Sequence, residues 1–291
     1  MDPATDIAGD QVRRYVAHVM GMPISLALRG READAAAGRS AWDAVITELQ
    51  EIDLIFSTYR DDSVISRLGR GELELRDCPP EVAEVLTLGE QAEEQSGGAF
   101  SVRLPLDPRR PDGPRRLDPT GVVKGWAAER AARHLTAVPD TDFCLSAGGD
   151  VVCRTSSRRE PWRIGIEDPH DPSRVIAVVP IRTGAVATSG TARRGAHLID
   201  ARNGQPALGV AQVSVVGPSP TWADLDATAA CAQGSGAPDW LRARPIRSAV
   251  VVAPDGTIDL VVPRRLGTVP ARTLHPDLHP DHHPATKRPP S

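Results

Sequence analysis

Strand-like and helix-like segments follow one another irregularly along this chain, and that order constrains its fold most strongly. Hydrophobic residues recur at helical spacing in the segments 34–56, 80–95, 122–135 and 222–233. Strand-like runs surround them, at 15–28 (with a turn at Met20-Gly21), 143–152, 162–166, 175–181, 184–188, 212–216, and 249–253 with 257–262 as a closing hairpin. A doubly wound sheet would need a regular β-α-β order. The sequence therefore predicts an α+β fold in which helices pack on a mostly antiparallel sheet.

Composition divides the chain into three parts. Residues 1–14 are polar and acidic and are predicted to be a flexible leader. Residues 15–263 are predicted to form the folded domain, in which the Pro- and Arg-rich stretch 101–117 is expected to be a loop. Residues 264–291 carry too little apolar surface to repay ordering and are predicted to be a disordered Pro- and His-rich tail. The alternative for this tail is a metal-binding tract formed by His275, His279, His282 and His283.

Charge and hydropathy exclude several classes of partner. The net charge is −4 and no basic stripe carries interleaved aromatics, so we expect no nucleic-acid partner. No apolar run approaches the roughly 20 residues that span a bilayer. The first residues lack the features of a secretory signal or lipobox. We expect no membrane insertion and a cytoplasmic protein. The four cysteines form no C-x-x-C pair and are expected to be buried small hydrophobes.

Asp224 and Thr228 are four residues apart in a helical segment, so they share one helix face. A carboxylate and a hydroxyl on one face can reach the same hard cation. Mg²⁺ prefers oxygen ligands and usually also binds substrate phosphates. The alternative is ordinary capping near a helix start. Asp226 would point elsewhere on the helix, and its replacement is expected to have a mild effect.

Two further segments have backbones suited to a ligand. The segment 117–126 enters a helix through Asp118-Pro119-Thr120-Gly121, and a helix start presents free N–H groups that favour phosphate. Asp118 could hold a ligand hydroxyl or cap this helix. Gly148 and Gly149 allow close backbone approach or a positive φ, although an ordinary turn at a strand end is the simpler explanation.

His197 lies in a region rich in glycine and hydroxyl side chains, close to the segment 188–190. An imidazole that titrates near neutrality is a natural proton acceptor. Ser189 lacks the G-x-S-x-G context of a hydrolase nucleophile.

Eight short motifs in a fixed order are together more specific than any one of them. They are Met20-Gly21, 56–60 with Ser63, 96–100, 117–125, 147–150, 188–190, 197–200 and 223–228. This order and spacing resembles the ApbE family, the FAD:protein FMN transferases, over about residues 16–262.

The resemblance implies FAD as substrate and Mg²⁺ as cofactor. The positions matching the family's FAD site are Met20, Tyr59, the flavin-site segment Ala99, Phe100 and Ser101, and, near the third helix start, Asp118 and Lys124. The positions matching its metal ligands are the Gly121 carbonyl and the Asp224 and Thr228 side chains. His197 matches the histidine of the family's H-x-x-D segment and is expected to be the general base.

The implied reaction is Mg²⁺-dependent transfer of FMN from FAD to a Thr or Ser hydroxyl of an acceptor protein, with release of AMP. The chain departs from the family pattern at Ser101 (usually Asp), Gly69 (usually Asn) and 201–204 (usually Pro-x-Thr-Gly), and its 101–117 stretch is shorter. Two alternatives are open: an FAD pyrophosphatase and a non-catalytic FAD-binding protein.

Overall fold

One eight-stranded sheet organises the described part of the chain. The computed structural model describes residues 12–33, 35–106, 110, 113–156, 159–190 and 198–263. The strands are β1 (Arg13–Val19), β2 (Met22–Gly30), β3 (Arg103–Pro105), β4 (Arg115–Leu117), β5 (Thr141–Ala147), β6 (Asp150–Arg154), β7 (Trp162–Glu167), β8 (Val175–Ile181), β9 (Thr183–Gly190), β10 (Ile199–Asp200), β11 (Gln205–Pro206), β12 (Gln212–Gly217), β13 (Ser248–Val252) and β14 (Ile258–Val261). The helices are α1 (Ala36–Phe56), α2 (Val64–Gly69), α3 (Pro80–Gln95), α4 (Thr120–Thr136), α5 (Pro220–Gln233) and α6 (Ala237–Arg242), with 3-10 turns at Leu75–Asp77 and Gly234–Gly236.

The large sheet has the strand order β1-β2-β5-β6-β9-β12-β13-β14, and each neighbouring pair in it is antiparallel. The pairs β3-β4, β7-β8 and β10-β11 form separate two-stranded ladders. The predicted α+β class with a mostly antiparallel sheet is therefore confirmed. The predicted tail 264–291 and residues 1–11 of the predicted leader lie outside the described residues and stay predictions. The predicted end of the leader at residue 14 is two residues too late, because Arg13 and Arg14 already pair with β2 in β1.

The helices cover one face of the sheet and the β7-β8 hairpin covers part of the other. On the first face, α1 and α4 share one core with β2 and β5, α3 packs against α4 and α5, and α5 and α6 pack on β9, β12 and β13. On the opposite face, alternate residues of β6, β9, β12 and β13 pack against β7 and β8. Within the described residues, none of the helices combines the length and apolar character needed to cross a membrane.

Two tight turns meet at one end of the sheet. Met20 and Gly21 both have positive φ (56° and 67°) between β1 and β2, as a type I′ hairpin requires. The predicted strand 143–152 is in fact a hairpin, because Gly148 and Gly149, at φ 60° and 103°, turn the chain between β5 and β6. The N–H of Gly148 donates to the Pro23 carbonyl at 3.0 Å, which holds the two turns side by side.

Helix α5 lies at the centre of the helical layer. Eleven of its fourteen residues are buried, and its alanines lie directly on β9 and β12 because they have no long side chains to keep them apart. The helix begins at Pro220, with Ser219 as its N-cap, two residues earlier than the hydrophobic spacing predicts. Its other side contacts α4 at Gly125.

The prediction that 101–117 is a loop is wrong at both ends. β3 pairs with β4 in an antiparallel ladder with Leu104 opposite Arg116. The ladder continues outwards through the Asp118 N–H, which donates to the Val102 carbonyl at 2.8 Å. Pro and Arg dominate this stretch and suggest a loop. Backbone hydrogen bonds nevertheless form a strand pair here, because the arginine side chains can remain in solvent.

Candidate functional site

A buried charge cluster joins α4, α5 and β6. The Lys124 Nζ atom lies 2.7 Å from Asp150 Oδ2 and 3.2 Å from Asp224 Oδ1. The two carboxylates are almost inaccessible, whereas about a quarter of the Lys124 side chain reaches the surface. Two carboxylates thus share one ammonium group at a point that solvent can reach.

The electrostatics of this cluster favour additional positive charge. Burial alone would lower the pKa of Lys124, but the Asp224 and Asp150 carboxylates raise it above its ordinary value. Burial raises the pKa of Asp224 to about 7, against the opposing effect of Lys124, and Asp150 adds to the rise. Since two carboxylates face one ammonium group, a bound cation would stabilise the charged form of Asp224.

Asp224 also fixes the distance between the two helices. Its Oδ2 atom accepts a hydrogen bond from the Gly125 N–H at 3.0 Å. A Cβ at Gly125 would lie only 2.7 Å from the Pro220 carbonyl oxygen and 2.8 Å from Asp224 Cβ, so the helices can meet this closely only at a glycine. In a regular helix the Gly125 N–H pairs with the Gly121 carbonyl. The Gly125 N–H is instead shared with Asp224, which weakens its bond to the Gly121 carbonyl. The Gly121 oxygen can therefore accept a second partner.

Thr228 lies one helical turn after Asp224 and faces β9. Its Oγ1 atom is hydrogen-bonded to Ser189 Oγ at 2.9 Å, and the residue is only half-buried. A Cβ at Gly121 would lie 3.8 Å from Thr228 Cγ2 and 2.8 Å from the Phe100 ring, so these three residues are in contact range. The structure therefore brings together the predicted positions Gly121, Lys124, Asp224 and Thr228, with Phe100 beneath them.

The donor set fits a hard divalent cation. It offers carboxylate oxygens from Asp150 and Asp224, a hydroxyl from Thr228 and a backbone carbonyl from Gly121, which are the oxygen types that Mg²⁺ prefers. Across the described ranges, no three His, Cys, Asp or Glu side chains converge as a metal-binding group. A cation here would therefore depend on the hydroxyl and carbonyl oxygens and on added ligands such as phosphate.

The predicted flavin-site segment is mostly buried. Ala99 is fully buried, and the Ser101 hydroxyl donates to Glu93 Oε2 at 2.7 Å while accepting from the Arg103 N–H at 3.0 Å. The side chains of Ala99 and Ser101 are thus used within the protein. Phe100 is the member of this segment whose ring lies against the cluster, under Gly121.

The other predicted flavin contacts lie around the cluster at different depths. Met20 is half-buried at the β1-β2 turn, beside the turn that carries Asp150. The Tyr59 ring is 97% exposed after α1, free to stack on a planar ligand. Asp118 accepts from both the hydroxyl (2.7 Å) and the N–H (3.3 Å) of Thr120, so it fastens the first turn of α4.

His197, the predicted base, lies outside the described residues.

Two residues of the cluster were not assigned a role from sequence. Asp150 follows a glycine pair and reads as a local turn, and Ser189 lacks a nucleophile motif. The sequence feature that could have identified them is their position in two motifs that resemble the family pattern. Asp150 lies in 147–150 and Ser189 in 188–190.

A surface cavity of about 290 Å³ shares no residue with this cluster; it lies between α3, α4 and the start of α5. Its acidic groups already have partners within the protein. Glu129 accepts from the Ser219 hydroxyl at 2.7 Å, and Glu84 accepts from the Trp126 indole N–H at 2.9 Å. We therefore assign the candidate site to the Lys124 cluster and not to this cavity.

Comparison with known proteins gives sequence matches to one family. The model of the ApbE family matches residues 20–105 and 103–251. A Rhodobacter capsulatus protein named FAD:protein FMN transferase is 34% identical over a 155-residue alignment that covers 49% of this chain and 29% of that protein. A Treponema pallidum protein of the same name is 28% identical over a 262-residue alignment, which covers 67% of this chain and 72% of the Treponema protein. The matched region thus spans less than a third of the first relative.

Solved structures show the same fold. The ApbE protein of Thermotoga maritima superposes with a TM-score of 0.73 at 21% identity, over 86% of this chain and 97% of that one. The flavinyl transferase ApbE of Pseudomonas stutzeri, in its apo form, gives a TM-score of 0.73 at 22% identity, over 88% and 97%.

Proposed function

The chain belongs to the ApbE family, and on that basis we propose that it transfers FMN from FAD to a hydroxyl of an acceptor protein. The observation that carries the proposal is the meeting of Lys124 with Asp150 and Asp224 at the start of α4, next to Thr228. A pyrophosphate needs positive charge, which the Lys124 ammonium would supply together with a cation attracted by the surplus carboxylate.

We propose that Asp224, Thr228 and the Gly121 carbonyl hold Mg²⁺, with Asp150 adding negative charge nearby. When bound, the cation would polarise a phosphoryl oxygen and neutralise charge as the phosphoanhydride breaks. The hard oxygen donors and the surplus of one carboxylate over Lys124 support this choice. In the same site, the Lys124 ammonium would bind a second phosphate oxygen.

The aromatic and apolar positions would orient the flavin half of FAD. Phe100, against Gly121, would set the depth of the isoalloxazine ring. The exposed ring of Tyr59 and the side chain of Met20 would close on it from outside. Binding by these groups away from phosphorus would hold the reacting atoms in line, which is the main advantage that a bound acceptor has over water.

The proposed chemistry is a single displacement at the FMN phosphorus. A Thr or Ser oxygen of the acceptor attacks, the bond from that phosphorus to the bridging oxygen breaks, and AMP leaves. His197 is proposed to take the hydroxyl proton. The product is a phosphoester that joins FMN to the acceptor.

We expect AMP release to depend on both Mg²⁺ and an acceptor protein. In the test, the chain is mixed with FAD and Mg²⁺, with and without candidate acceptors from its own host, and AMP is followed by chromatography. The acceptor should then carry flavin fluorescence on a denaturing gel, and chelation should stop the reaction. Rapid formation of AMP and free FMN without an acceptor would favour a pyrophosphatase. Bound FAD without AMP under any condition would favour a binding protein.

FAD should bind at least about tenfold more tightly than riboflavin, a difference of ~1.4 kcal/mol. The reason is that Lys124 and the proposed cation would contact phosphates, which riboflavin lacks. Quenching of flavin fluorescence measures both affinities in the presence of Mg²⁺. The matched control is Lys124→Met, which should weaken FAD binding while leaving riboflavin binding unchanged. Equal affinity of the unaltered chain for the two flavins would rule out phosphate recognition.

A further inference from the structure

Two cysteines face each other across β5 and β6. Cys144 and Cys153 are directly opposite in the strand register, and their Sγ atoms are 3.5 Å apart. Directly opposite residues of antiparallel strands have Cα atoms about 4.5–5.5 Å apart. That separation lies within the range of about 4.4–6.8 Å found for disulfides. The two thiols can therefore be joined without moving the strands.

The surroundings give the two thiols different roles. Cys153 is 1% exposed, whereas Cys144 is half-buried. The hydrogen bond from the Cys153 thiol lowers the pKa of Cys144, and Arg14 and Arg29 lower it further against the effect of burial. The same contact, together with burial, raises the pKa of Cys153. Cys144 is thus the accessible nucleophile and Cys153 the protected partner.

We propose that Cys144 and Cys153 are a modification site at which a small-molecule disulfide, such as oxidised glutathione, converts the pair into a cross-strand disulfide. The Cys144 thiolate attacks one sulfur of the oxidant, whose S–S bond breaks and releases one thiol. Cys153 then loses its proton to solvent and attacks Cys144 Sγ in the mixed disulfide, releasing the second thiol. Two protein thiols are oxidised and one disulfide is reduced to two thiols.

The bond would form on the face of the sheet opposite the Lys124 cluster. Cys144 and Cys153 pack with the β7-β8 side, whereas their neighbours Leu145 and Val152 pack with the helices. Oxidation should therefore stabilise the β5-β6 hairpin without altering the candidate site. The inference is independent of the proposed flavin chemistry, because its test needs no flavin.

The test is an equilibrium titration of the full chain in glutathione buffers of graded redox ratio. Acid-quenched samples are alkylated and digested, and the linked peptide of Cys144 and Cys153 is measured by mass spectrometry. The same titration is run on the chain unfolded in urea. We expect the native fold to favour the disulfide by at least about tenfold, which corresponds to about 30 mV for a two-electron couple. An equal or smaller constant in the native chain would overturn the proposal.

Single substitutions test the assigned roles. In Cys153→Ser, Cys144 should accumulate as the glutathione adduct because the second step is removed. In Cys144→Ser, Cys153 should stay free of adduct because it is buried. Cys78→Ser is the control and should form the linked peptide as the unaltered chain does. Absence of the adduct in folded Cys153→Ser would contradict the proposed order. The titration of the unaltered chain stands even if a variant fails to fold.

Discussion

The Asp224→Asn variant is expected to lose AMP release by about 10³-fold or more, equivalent to ~4 kcal/mol of transition-state stabilisation. The amide keeps the size of the carboxylate, and its oxygen can still accept the Gly125 N–H that spaces the two helices. The change removes the charge that would hold a cation, and it also turns the amide NH2 towards Lys124 Nζ, which lies 3.2 Å from Asp224 Oδ1 in the unaltered chain. Lys124 keeps Asp150 as its partner, so the metal-free variant should stay folded and lose only about 1–2 kcal/mol of its free energy of unfolding.

The measurement pairs initial rates of AMP release with thermal unfolding in chelator. Isothermal titration with Mg²⁺ and ADP, as a stand-in for the FAD pyrophosphate, should show loss of cation binding in the variant. A fully active Asp224→Asn variant would remove Asp224 from the proposed metal site. Lost activity accompanied by a large fall in stability would assign Asp224 a structural role.

Asp226→Ala is expected to lower the free energy of unfolding by about 3–5 kcal/mol, because removing one partner of a buried ion pair leaves the other charge without compensation. Asp226 is 3% exposed, and its Oδ1 accepts from Arg244 Nε at 2.8 Å. The Arg244 guanidinium also lies over the rings of Trp222 and Trp240, 5.9 and 5.1 Å from their centroids. The sequence-based expectation of a mild effect concerned activity and stays a prediction, whereas this environment bears on stability.

Urea unfolding of the full chain measures the loss. The matched control is the double variant Asp226→Leu with Arg244→Met, which replaces both charges by apolar groups and should recover much of the stability. AMP release per folded molecule should be close to normal in both proteins. A loss below about 1 kcal/mol in the single variant would show that water reaches Arg244 and that the pair is weak.

The pair Asp224 and Asp226 shows where sequence reasoning succeeds and where it stops. Helical periodicity alone gives the direction of each side chain, and it correctly separates the two. It does not say what each side chain meets. Asp226 meets Arg244, which follows α6, a short helix that the hydrophobic spacing does not predict. Asp224 meets Lys124, whose helix was predicted but whose contact with α5 depends on the sheet order.

Elsewhere in the fold, the sequence predicts features that depend on neighbouring residue types better than features that depend on distant contacts. Turns with two positive-φ positions, such as Met20-Gly21, follow from residue type. The strand pair on either side of residues 107–112 could not be predicted, because its ladder depends on backbone groups that every sequence has. Asp150 was missed as a site residue for a related reason. A carboxylate after two glycines looks the same whether it faces solvent or a buried lysine.

The bond between Asp224 and the Gly125 N–H has a consequence for how the chain acquires its site. It joins residues 99 positions apart in the sequence. Closing so long a loop is slow, because its entropy is lost before the contacts that reward it are made. Until α5 has docked, Lys124 and Asp150 are present without their third partner. If the proposed site binds a divalent cation or FAD, that binding should be the last property to appear during refolding, later than most helical structure. Its rate would then report when the whole sheet is complete.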